Sequence, residues 1–136
     1  MLIEPLSPAR IDAAVALWRE AGLTRPWNDP LEDLRRALED PASTVLEGVQ
    51  DDALVATAMV GHDGHRGWVY YLAVRPDVRR CGHGAAMMRA CEAWLARRGA
   101  PKLNVMVRGD NAATRGFYDA LGYGADEVVV LSRRLR

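Results

Sequence analysis

The chain has 136 residues, suited to one domain spanning 1–136, and 49% of them are apolar against 26% charged, an ordinary globular balance. Its 18 basic and 18 acidic side chains cancel to a formal net charge of zero, which argues against a sequence-independent nucleic-acid binder working through a basic excess. Two cysteines, Cys81 and Cys91, are too few for a disulfide framework, no apolar run reaches membrane-spanning length, and residues 1–6 show no signal-peptide pattern, so a cytoplasmic protein is expected.

Residues 1–6 read as a short edge strand interrupted by Pro5. Ser7-Pro8 has the form of an N-cap followed by the first helical residue, and behind it Ile11, Ala14, Val15 and Trp18 recur at helical spacing until Gly22. After a loop at 23–28, Asp29-Pro30-Leu31-Glu32 resembles a capping box and opens a helix lined by Leu31, Leu34 and Leu38. The period then changes. Strands are predicted over 44–49 and 54–60, joined as a hairpin at 50–52. A polar, Gly-rich turn covers 61–67, and 68–74 reads as a central strand buried on both faces. A helix from about 84 to 98 carries an inward stripe of Met87, Met88, Cys91, Trp94 and Leu95. A strand at 103–107, a helix at 111–121 stopped by Gly122 and a last strand at 128–131 complete a mixed α/β sheet.

The chemistry concentrates in residues 71–84, Tyr-Leu-Ala-Val-Arg-Pro-Asp-Val-Arg-Arg-Cys-Gly-His-Gly. A strand ends at Pro76, a basic Gly-containing loop follows, and a helix begins, so backbone N–H groups at the positive end of a helix can cradle a phosphate, with Arg79 and Arg80 adding charge. A P-loop would need a Gly-Lys-Ser/Thr, which is lacking, and a dinucleotide fingerprint would need glycine where Met87 stands. A plain strand-to-helix turn would also use these glycines.

Arg79-x-x-Gly82-x-Gly84 resembles the pyrophosphate-binding motif of the GNAT superfamily of acyl-CoA-dependent N-acetyltransferases, written Gln/Arg-x-x-Gly-x-Gly/Ala. The segment from Asn111 through Tyr118 to Gly122-Tyr123 is similar to the second block of that family, and the order of elements in the N-terminal half matches as well. Residues 25–30 and 61–67 further resemble the bacterial YpeA-type members. The resemblance implies a mainly antiparallel mixed sheet splayed at its centre and flanked by helices, with acetyl-CoA lying in the splay and no metal.

On that resemblance, backbone groups of Leu72, Ala73 and Val74 pair with the pantetheine arm, and the Val74 N–H faces the thioester oxygen. One such preorganised donor contributes roughly 3 kcal/mol to the transition state. Arg79, Arg80, Cys81, Gly82, His83 and Gly84 hold the pyrophosphate. Asn111 acts as helix cap, as pantetheine partner, or as both through different atoms, and Tyr118 protonates the departing thiolate against the alternative of a packing tyrosine. Some relatives carry a Glu base where this chain has Met106. That leaves His65, with His62 and Asp63, or a chain of waters as routes for the amine proton, although a polar hairpin explains these side chains without chemistry. Trp27, Asn28, Asp63 and Arg66 are acceptor-site candidates. Asp29 reads as an N-cap rather than a base, and Cys81 as a bystander in a direct transfer.

The function implied is an acetyl-CoA-dependent N-acetyltransferase acting on a primary amine of a small molecule or protein. A non-catalytic acyl-CoA-sensing module is the alternative, motivated by Met106, and a plain interaction domain is a third reading. Expected partners are acetyl-CoA and an amine acceptor, with no nucleic acid or membrane, and a homodimer is a candidate state because relatives often pair through their last strands.

Overall fold

Runs of apolar residues between residues 43 and 74 build most of the sheet. A computed structural model describes residues 1–135. Strands β1 (Leu2–Pro5), β2 (Ser43–Gln50), β3 (Ala53–His62), β4 (Gly67–Val74) and β5 (Leu103–Val105) form one sheet in the order β1-β2-β3-β4-β5. The first three pairings are antiparallel and β4–β5 is parallel. Helices α1 (Ile11–Glu20) and α2 (Pro30–Glu39) precede β2, α3 (His83–Arg97) links β4 to β5, and α4 (Ala112–Ala120) follows. The chain divides into two compact units, Met1–Met106 and the segment from Val107 onward.

Side-chain caps mark the start of the 3-10 turn before α1 and the start of α2. Ser7 caps a 3-10 turn at Pro8–Arg10, which leads into α1. The Asp29 carboxylate accepts the N–H groups of Leu31 and Glu32, with Pro30 in the first turn of α2. In one unit, α1 and α2 cover one face of the sheet, with Trp18, Leu34 and Ala37 packed around Val45 and Ala73. On the opposite face α3 contributes Met87, Met88, Cys91 and Leu95, all buried, and Leu95 closes so tightly on Gly67 that a Cβ there would overlap it.

Two expectations fail. The strand at 68–74 is not buried on both faces: the cover of α1 and α2 reaches Tyr71 and Ala73, while Tyr70 stays 43% exposed. The last strand at 128–131 does not form either. Its apolar, β-branched run has the propensity, but a strand exists only with a ladder partner; none is present among the described residues, and Val129 and Leu131 are 83% and 89% exposed. The strand predicted at 103–107 is shorter, ending at Val105.

Candidate active site

The brevity of β5 creates the site. Its pairing with β4 covers only Gly67–Val69 against Leu103–Val105, so from Tyr70 to Val74 the β5 side of β4 has no ladder among the described residues. The register on the other side determines what this open edge displays. Arg75 donates its N–H to the Val55 carbonyl at 2.8 Å, so Val55 and Arg75 form a hydrogen-bonded pair; Thr57 and Ala73 are then the next such pair. Alternation turns the backbone groups of Val74 and Leu72 away from β3, toward the open edge. Ala73, expected to offer its backbone there as well, directs it to Thr57 instead.

A β-bulge precedes these residues. Thr57 opposes Ala73 while Met59 opposes Tyr70, so β4 carries one residue more than β3 across this stretch. Tyr71 sits in the bulge with φ at +52°, a left-handed backbone that a tyrosine adopts at a cost of about 1–3 kcal/mol.

At the end of β4 the loop is organised around its own charges. Arg75 grips Asp77 through Nε and a terminal nitrogen at 2.6 and 2.9 Å, which holds the Asp77 carboxyl below its ordinary range. Arg79 donates from Nε to the Val74 carbonyl at 3.1 Å, which holds its guanidinium at the end of β4. Arg80 and Gly82 both adopt positive φ, +64° and +80°, and Gly82 starts α3 with no side-chain cap. Ala86 makes the first intrahelical bond, to the Gly82 carbonyl at 3.0 Å. The N–H groups of His83, Gly84 and Ala85 therefore project beyond the helix end, and with Arg79, Arg80 and the exposed Cys81 backbone they form a cradle of the kind that accepts phosphate oxygens.

The polar turn stands apart from this arrangement. Asp63 Oδ1 accepts the N–H groups of His65 and Arg66 at 2.8 and 2.7 Å, and Oδ2 accepts the Trp68 indole at 3.1 Å. Those bonds push the Asp63 carboxyl down to about 2. His65 is exposed, with an Arg66 guanidinium nitrogen 3.4 Å from its Nδ1. The turn enters β4 at Gly67, and at about 3.3 Å per residue it lies about 20 Å from Val74. His62, Asp63, His65 and Arg66 are thus grouped with one another but not with the Val74 edge. Trp27 and Asn28 lie in the α1–α2 loop, both exposed, and Arg25 there donates to the Gly22 and Thr24 carbonyls at 2.9 Å.

In the second unit Asn111 caps α4, its Oδ1 accepting the Thr114 N–H at 3.1 Å, which leaves the amide nitrogen for another acceptor. Tyr118 is buried, with Phe117 and Tyr123 packed edge-on at ring separations of 4.9 and 5.5 Å. Among the described residues no group of three or more His, Cys, Asp or Glu side chains could hold a metal, and no helix is long and apolar enough to cross a membrane.

Comparison with known proteins bears on the same segments. The model of the Acetyltransferase (GNAT) family matches residues 12–123, across the boundary between the two units. An acetyltransferase of Yersinia enterocolitica is 40% identical over 135 residues, 99% of this chain and 96% of its own. One from Sodalis glossinidius is 42% identical over 125 residues, covering 91% and 88%. Among solved structures, the apo aminoglycoside 6′-N-acetyltransferase AAC(6′)-Ig of Acinetobacter haemolyticus has a TM-score of 0.82 at 19% identity, with both chains fully covered. The aminoglycoside N-acetyltransferase AAC(6′)-Iy in complex with CoA has a TM-score of 0.85 at 16% identity, covering 99% of this chain and 95% of its own.

Proposed function

This chain belongs to the GNAT family of acetyltransferases, and from that premise we propose that it transfers an acetyl group from acetyl-CoA directly to a primary amine of a small molecule or protein, as one functional domain. The observation that carries the reading is the open edge of β4 from Tyr70 to Val74, which ends at the uncapped N-terminus of α3. The pantetheine arm lies along that edge as an added strand, hydrogen-bonded to Leu72 and Val74. The pyrophosphate rests on the N–H groups of Gly82, His83 and Gly84, with Arg79, Arg80 and the Cys81 backbone around it. Val74 N–H stabilises the oxyanion that forms when the amine attacks the thioester carbonyl.

The tetrahedral intermediate collapses with loss of the thiolate, and Tyr118 supplies its proton, as the family pattern assigns. By the same family pattern Asn111 offers its amide N–H to the pantetheine, while its Oδ1 caps α4. The proton released by the amine leaves through water, since His65 and Asp63 belong to a turn at the other end of β4. Trp27 and Asn28, on the loop between α1 and α2, meet the acceptor. The setting is the cytoplasm, where acetyl-CoA is available.

Thermal unfolding with and without acetyl-CoA tests the reading. Ligand at about 100 times its Kd stabilises the fold by about 2.7 kcal/mol, and an unchanged Tm overturns the proposal. Release of free CoA with a panel of primary amines then separates a transferase from a non-catalytic sensing module: a Tm shift without turnover on any amine favours the sensor.

A further inference from the structure

The bulge in β4 creates a problem that the surrounding side chains solve. An extra residue in one strand displaces its carbonyl from the ladder, and a buried carbonyl without a donor is costly. The displaced group here is the Tyr71 carbonyl, and it accepts the Thr57 hydroxyl at 3.0 Å. Thr57 is fully buried, at 0% exposure, in the middle of β3, where its neighbours from Ala53 to Gly61 are all apolar or glycine. Its hydroxyl has one hydrogen, spent on Tyr71, and its lone pair accepts the indole N–H of Trp18 at 2.8 Å. Trp18, also fully buried, stacks its ring on the Tyr71 ring, with centroids 3.9 Å apart and planes 11° from parallel. The Tyr71 hydroxyl then donates to Asp33 Oδ2 on α2 at 2.9 Å.

Tyr71 is therefore held at its carbonyl, its ring and its hydroxyl, by β3, α1 and α2 respectively. That is three anchors for one residue in a backbone conformation its side chain disfavours. What the bulge achieves is visible in the register: it shifts β4 by one residue against β3, so that Leu72 and Val74, rather than Tyr71 and Ala73, present their backbone groups to the open edge.

We infer that Trp18, Thr57 and Asp33 are positioning residues for acyl-CoA binding, acting through Tyr71 to fix the β4 register that aims the Leu72 and Val74 backbone at the pantetheine arm. The inference rests on the transferase reading above and adds to it a relay that touches neither nucleotide nor acyl group. It separates the two halves of the ligand: the relay controls the pantetheine edge, while the N–H groups of the phosphate cradle belong to the first turn of α3, and only Arg79 is tied to the edge, through the Val74 carbonyl.

The test is calorimetric titration of acetyl-CoA and of 3′-phospho-ADP, its nucleotide half, into the full chain and its variants. Thr57→Val keeps shape and volume but removes the hydroxyl, and is expected to weaken acetyl-CoA about tenfold while 3′-phospho-ADP changes by less than about twofold. Thr57→Ser, which restores the hydroxyl, is expected to restore acetyl-CoA binding. Tyr71→Phe, which releases only the Asp33 anchor, gives a smaller loss with the same split, and it decides the matter if Thr57→Val fails to fold. Unchanged acetyl-CoA binding in folded Thr57→Val overturns the inference, as does equal weakening of both ligands, which would mark a general loss of structure. A wild-type chain that binds neither ligand overturns the transferase reading itself.

Discussion

Asp63 illustrates how a side chain suited to catalysis is committed elsewhere. Its carboxylate receives three N–H donors, and its depressed pKa of about 2 reflects first the backbone bonds of Arg66 and His65, then the Trp68 indole. A carboxyl held below its unfolded value of 3.8 contributes stability that is present above that value and is lost as pH falls through about 2. Asp63→Asn is thus expected to lower the Tm at pH 7, and the gap to wild type to close as pH drops from about 4 to about 2; a pH series of melting curves checks this. The residue types at 61–67 resemble an active-site loop, yet counting along β4 separates them from Val74, because residue type reports chemistry and not which end of a strand a turn closes. Tyr118 is the opposite case, a tyrosine whose role the family pattern predicts. Tyr118→Phe is expected to reduce kcat by about 100-fold, the lower range for a positioned acid, while the acetyl-CoA-induced Tm shift persists. Loss of the Tm shift in that variant would assign Tyr118 to binding instead.

Three helices begin differently, and the difference predicts different outcomes on substitution. Asp29 caps α2 and Asn111 caps α4, whereas α3 opens on Gly82 with bare N–H groups. Asp29→Ala is expected to cost about 1 kcal/mol of stability, measured by denaturant unfolding, and to leave acetyl-CoA affinity unchanged. Gly82→Trp reverses the pattern. No heavy atom lies within 4 Å of a Cβ at Gly82, so the side chain starts without a clash, and the backbone penalty at φ +80° is about 1–3 kcal/mol. The indole then covers the N–H groups, and the acetyl-CoA-induced Tm shift is expected to vanish in a protein that still folds. These helices were legible in the sequence because caps and apolar periodicity are local signals. The bulge was not, since it depends on Thr57, Trp18 and Asp33, which meet Tyr71 only in three dimensions, and since tyrosine does not advertise a left-handed backbone. The strand expected at 128–131 failed for the related reason that propensity cannot supply a partner.

At the scale of the folded molecule, Cys91 reports whether the site and the core stand or fall together. It lies in the middle of α3, at 0% exposure among Met87, Met88 and Leu95, on the helix whose first turn forms the phosphate cradle. Burial, with a smaller contribution from the Glu92 charge, pushes its thiol up to about 12, so near neutral pH it is both shielded and protonated, while Cys81 is exposed. In a Cys81→Ala variant the one remaining thiol reacts only when the core opens. When reclosing outpaces labelling, the rate measures the population of that open state. If opening dissolves the cradle, acetyl-CoA at about 100 times its Kd slows labelling about 100-fold, because the ligand stabilises only the closed form. The buried stripe along α3 leads us to expect the full factor, since exposing Cys91 means lifting the helix from β3 and β4 and withdrawing Gly82, His83 and Gly84 from the end of the open edge. A slowing of only a fewfold would mean that the middle of α3 opens while the cradle stays bound, and that the N-terminus of the helix is held by its loop rather than by its core.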